Sequence, residues 1–97
     1  MVIIAGHHAV DAVDRDRYVA AFRDLVVRSR EADGCIDVAI TADSVDPERV
    51  NVLEVWESAA ALDAWRAQAN PPDIDVEPDE DSMRVRRFEA RDGGPLF

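Results

Sequence analysis

The chain has 97 residues, 21 acidic and 11 basic, for a net charge of −10. This length predicts one domain, 1–97 with a tail over 91–97, which buries only about 60 to 65% of its unfolded surface, so a second copy would help to stabilise it. The charge opposes nucleic acid and anionic membranes as partners, because both demand cationic contacts. No run approaches the ~20 apolar residues of a membrane span. The opening MVIIAGHH lacks a basic region ahead of its apolar run, so a cytoplasmic location is expected. The single cysteine, Cys35, permits neither an internal disulfide nor a multi-cysteine zinc site.

In chain order, residues 2–8 have strand propensity and turn polar at Gly6, His7 and His8, as at a strand end reaching a rim or pocket. Asp14 is the expected N-cap of one long helix with Asp16 in its first turn. Tyr18, Phe22, Leu25, Val26 and Ser29 form its apolar stripe. Gly34 is the expected left-handed C-cap, and residues 35–41 follow as a strand with Ile36, Val38 and Ile40 on one face. Asp46-Pro47 marks a hairpin loop over 43–48.

The next strand alternates, with Val50, Val52, Glu54 and Trp56 on one side and Asn51, Leu53 and Val55 on the other. Ser58 then caps a helix whose Ala61, Leu62, Trp65 and Ala69 recur at helical spacing. Residues 70–81 hold six acids and three prolines. They predict an irregular, solvated and mobile loop, anchored at most by Ile74 and Val76 and dispensable for folding. A last strand over 82–90 carries Met83, Val85 and Phe88, with a bulge expected at Arg86-Arg87.

The order strand, helix, strand, strand, helix, strand is the α+β, ferredoxin-like arrangement with a four-stranded antiparallel sheet. Right-handed crossovers put both helices on one face. With Val50, Val52 and Trp56 expected on the uncovered face, a two-fold homodimer is the expected cover.

Asp33-Gly34-Cys35 after the first helix, the Asp46-Pro47 hairpin, the strand ending Leu53-Glu54-Val55-Trp56-Glu57-Ser58 and the Ala-rich helix after it together resemble the antibiotic biosynthesis monooxygenase domain. That family belongs to the dimeric α+β barrel superfamily. The resemblance runs over about residues 2 to 90 and implies the dimeric barrel. The family includes cofactor-free quinol and anthrone oxygenases, haem-degrading enzymes, isomerases and members with no known activity. Many relatives carry a histidine in the second helix and a Ser-Pro-His step beyond it, whereas here Trp65 occupies the helix and Asn70-Pro71-Pro72 follows. A mechanism that needs the helical histidine lacks its residue. Haem-degrading relatives have a tryptophan at a position like Trp65 and an iron-ligating histidine further along, but no histidine follows His8 here.

His7 and His8 are adjacent on a strand and point to opposite faces, so only one can enter a pocket. In one reading that residue is the candidate base or hydrogen-bond partner for a phenolic substrate; in the other, one histidine packs or hydrogen-bonds at the dimer interface and the other lies exposed. Trp65, Trp56, Leu62 and Phe22 are candidate walls for a flat ligand, or core residues. Glu54 is expected to form a structural or interface ion pair with Arg84 or Arg86 or their symmetry mates. Asp73-x-Asp75-x-Glu77 resembles the start of a calcium loop, but Pro78 and Arg84 stand where glycine and a bidentate acid belong, so no metal is expected. The expected function is a cofactor-independent monooxygenase acting on a hydroquinone or polyketide-like phenol. The alternative is a non-catalytic dimer that binds a small aromatic ligand, and haem degradation is a remote third.

Overall fold

The computed structural model describes all 97 residues. The elements are β1 (Val2–Ala9), α1 (Arg15–Ala21), α2 (Arg23–Glu31), β2 (Cys35–Ala42), β3 (Arg49–Trp56), α3 (Ala59–Arg66), a 3-10 turn (Glu80–Ser82) and β4 (Arg86–Glu89). The sheet is antiparallel in the order β2-β3-β1-β4, which is the expected ferredoxin-like topology. No helix is long and apolar enough to cross a membrane.

Strand pairing decides which face is covered. Val2 pairs with Trp56, Ile4 with Glu54 and His8 with Val50, so these residues share one side of the sheet. On that side Val2, Ile4, Val38 and Trp56 pack with Leu62 and Trp65 of α3, while Val50 packs with Val10, Tyr18 and Val76. The helices therefore cover the Val50, Val52, Glu54 and Trp56 side, which corrects the expectation that this side is bare. The free face carries Ile3, Ala5 and His7 opposite Val55, Leu53 and Asn51.

The first helical segment also differs from the single helix expected. It breaks at Phe22 into α1 and α2. Asp14 precedes α1 without a side-chain cap, because its carboxylate accepts from Arg17 instead, at 3.0 Å. The helix stops at Glu31 with Ala32 extended, so Gly34 is not its C-cap. Gly34 does take a left-handed conformation, with φ 79°, in the turn that lets Cys35 N–H bond the Ala32 carbonyl. A register shift between Cys35 and Asp37 then throws Ile36 off the face shared by Val38 and Ile40, leaving it exposed.

Residues 70–81 are largely irregular, as expected, but they are tied down. Val76 is buried, Asp75 accepts from Arg17 at 2.8 Å, and Asp79 N–H bonds the Ala9 carbonyl. The last strand is shorter than predicted, and its irregularity falls before Arg86 rather than at Arg86-Arg87. Gly6, with φ 150°, lets the chain at Arg84 and Val85 run so close to β1 that a Cβ would collide with the Arg84 carbonyl, and Arg84 N–H bonds the His7 carbonyl.

Candidate functional site

Alternation along β3 puts Glu54 and Trp56 side by side under the helices, and Glu54 Oε1 accepts from Trp56 Nε1 at 3.1 Å. Ser58 receives Ala61 N–H on its hydroxyl at 3.1 Å, which starts α3 in the register that turns Leu62 and Trp65 inward. Between α2, α3 and the sheet lies a cavity of about 160 Å³ lined by Leu25, Ser29, Val38, Ile40, Glu54, Trp65, Arg66 and Ala69. Its wall is mainly aliphatic and indole. Glu54 is the one carboxylate lining it.

Glu54 is in no ion pair. Within the chain the expected bond to Arg84 or Arg86 does not form: Arg86 sits opposite Ala5 on the free face, and Arg84 donates to the carbonyls of Asp81 and Met83. Ser29 is fully buried, and its hydroxyl donates to the Val26 carbonyl. Cys35 belongs to the same neighbourhood. Burial, then the charges of Asp37 and Glu54, push its thiol pKa up, while Arg30 opposes them, so its sulfur is a poor nucleophile.

Outside the cavity, a larger polar groove of about 550 Å³ runs between α2 and residues 68–73. Leu25 lines both spaces. Arg28 holds the boundary: it donates to Asp24 at 2.8 Å, to the Ala69 carbonyl at 2.7 Å and to the Asn70 carbonyl at 3.2 Å, and its guanidinium lies 5.6 Å from the Trp65 ring centroid. Arg28 thus ties α2 to the start of the acidic segment beside the Trp65 wall.

Of the candidate site residues, only Trp65 and Glu54 line this cavity. Trp56 and Leu62 are fully buried in the core behind it, and Phe22 packs against Tyr18 in the neighbouring cluster with Val10, Val50 and Val76. His7 lies on the free face. His8 lies under α1, where its Nε2 and the Tyr18 hydroxyl are 3.1 Å apart and its Nδ1 is buried without a partner. Burial, and secondarily His7, lower the His8 pKa from its ordinary value. Neither histidine lines the cavity. Arg66 does line it and was missed, since nothing distinguishes an arginine at the end of an amphipathic helix from a solvated one.

A family model for antibiotic biosynthesis monooxygenase matches residues 1–70. No match was found among curated proteins. Among solved structures, a conserved protein from Methanosarcina mazei Go1 superposes with a TM-score of 0.67 at 16% identity, over 93% of this chain and 92% of that one. A conserved protein of unknown function from Bacteroides thetaiotaomicron, described as a possible oxidoreductase, gives 0.70 at 19% identity over 92% of this chain and 96% of that one. A candidate antibiotic biosynthesis monooxygenase from Deinococcus radiodurans gives 0.66 at 18% identity, over 100% of this chain and 99% of that one. At these identities the structural likeness is one of fold. The family match, spanning all three helices and the strand that carries Glu54 and Trp56, goes further: this chain is a member of the antibiotic biosynthesis monooxygenase family.

Proposed function

We propose that the protein is a cytoplasmic, dimeric, cofactor-independent monooxygenase acting on a small aromatic phenol or hydroquinone. The observation that carries this is the cavity under α2 and α3, with the Trp65 indole as a flat wall and one carboxylate in a mainly apolar lining. A phenol bound there ionises and passes an electron to dioxygen in a site with little water. One oxygen atom enters the ring as a carbonyl and the other leaves as water, so the substrate supplies all four electrons and no external reductant is consumed. The protein contributes orientation, proton acceptance and a low-dielectric enclosure. His7 and His8 stand away from this cavity, so a histidine base would act only from the free face, where a second copy would close a separate space around His7.

The test is oxygen uptake by metal-free protein with a panel of phenols and hydroquinones. Uptake that depends on substrate and falls on Trp65→Ala supports the reading. Binding without uptake across the panel would support the rival reading, a non-catalytic ligand-binding dimer.

A further inference from the structure

Resting on the reading of the helix-covered cavity as an aromatic site, we propose that Glu54 and Arg66 select its ligand as a single-ring phenol bearing a carboxylate. Three observations converge on this class. The first is size. A cavity of about 160 Å³ is close to the roughly 150 Å³ of an apolar protein cavity that takes up one benzene ring, so the space beneath the helices matches a single ring. The second is polarity at one end. Trp56 occupies only Oε1 of Glu54, and Oε2 has no protein partner, so the carboxylate keeps an acceptor for a ligand hydroxyl.

The third is the opposite charge on the same wall. Arg66 lines the cavity, is exposed, and makes no hydrogen bond or ion pair within the chain, unlike the neighbouring Arg28 with its three protein acceptors. Glu54 comes from β3, in the floor, and Arg66 from the last turn of α3, in the roof. A ligand lying flat against Trp65 therefore meets an acceptor on one side and a cation on the other. A phenol that donates its hydroxyl to Glu54 and presents an anion to Arg66 satisfies both, while a dianion or a catechol lacking an acid leaves one of them unmatched. Glu54 is here a ligand-orienting residue, and Arg66 a specificity residue at the rim.

Calorimetric titration of the full chain with 4-hydroxybenzoate, phenol, benzoate and 6-hydroxy-2-naphthoate tests this. The expected result is that 4-hydroxybenzoate binds about tenfold or more tighter than each of the other three, the change made by one charge-assisted hydrogen bond. Glu54→Gln, which keeps an acceptor for Trp56, should weaken 4-hydroxybenzoate and phenol but not benzoate. Arg66→Gln should weaken 4-hydroxybenzoate and benzoate but not phenol. Equal affinity for the four probes, or tighter binding of the naphthoate, overturns the proposal. Should Glu54→Gln fail to fold, the wild-type series and the surface variant Arg66→Gln still decide. Oxygen uptake is measured separately. Its absence with the binding pattern intact removes the oxygenase reading and supports the ligand class, and uptake with phenols that bind without this pattern does the reverse.

Discussion

The Trp65 indole lies over that of Trp56 at a centroid distance of 6.3 Å and an interplanar angle of 23°. One ring is fully buried and the other is 7% exposed, so the pair belongs to the core even though Trp65 also forms the cavity wall. The alternative between core and pocket roles therefore dissolves. Trp65→Ala is expected to cost about 3 to 5 kcal/mol, as for other buried aromatics. It should also abolish binding of a planar phenol, whereas Trp65→Phe keeps a wall and loses less of both. Chemical denaturation and ligand titration on the two variants check this. A Trp65→Ala protein of near-native stability would contradict the packing.

Gly6 and Arg84 make a second prediction. A methyl group at position 6 meets the Arg84 carbonyl and Val85 Cα, and φ there is 150°, so Gly6→Ala combines backbone strain with a clash against the segment leading into β4. The loss should exceed about 1 kcal/mol and should be local to β1 and β4. Hydrogen exchange should then rise at Arg84 N–H, which bonds the His7 carbonyl, before it rises in the β2 to β3 hairpin.

Much of this was legible in the chain. The element order followed from changes of hydrophobic period, and Trp65 was placed at the wall because Leu62 and Trp65 share one side of a helix begun at Ser58. What could not be read was which side of β3 the helices cover. Both sides are apolar, with Val50, Val52 and Trp56 against Leu53 and Val55, so alternation separates the faces without ranking them. That one ambiguity carried Glu54 to the wrong face and gave it an arginine partner it does not have within the chain. The contact between His8 and Tyr18 depends on how α1 docks over β1, and the displacement of Ile36 depends on a bulge that no residue type announces.

The buried His8 makes stability depend on pH. Its folded pKa lies below the ordinary 6.5, chiefly through burial. The unfolded chain thus takes up its proton first as pH falls, so stability is full above about pH 6.5 and declines as pH drops from there toward the folded pKa. At the alkaline end Tyr18, whose pKa burial raises above 10.0, should lose stability as pH rises through that value. Thermal midpoints across pH 4.5 to 7.5, roughly the range in which histidine titrates, should slope for the wild type and flatten in His8→Gln. An unchanged slope in the variant would assign the effect to other groups.

The segment at 70–81 is expected to matter for folding through one residue. Val76 is buried against Val10, Tyr18 and Val50, so Val76→Ala should cost about 2 kcal/mol. Asp73→Ala, in the same segment but exposed at the polar groove, should leave the denaturation midpoint where it is. Equal midpoints for the two variants would mean that the segment is a passive loop.

The last prediction concerns assembly. Leu53 is flanked across the free face by Ala5 on β1 and Ala39 on β2, small residues that leave it standing proud of the sheet at 37% exposure. Phe88, 48% exposed, pairs with Ile3 further along the same face. A protruding leucine between two alanines is self-complementary under a two-fold axis, since each leucine can enter the hollow beside its counterpart. Burying such a patch gains about 25 cal/mol per Å² of apolar area, whereas leaving it in water invites less specific association. Leu53→Asp sets two carboxylates against each other at that contact, and light scattering should then report a monomer. Val45→Asp, in the hairpin loop and 90% exposed, adds the same charge away from the face and should leave the dimer intact. A wild-type protein that is monomeric at all concentrations would overturn the dimer, and a Leu53→Asp protein that still dimerises would place the contact elsewhere.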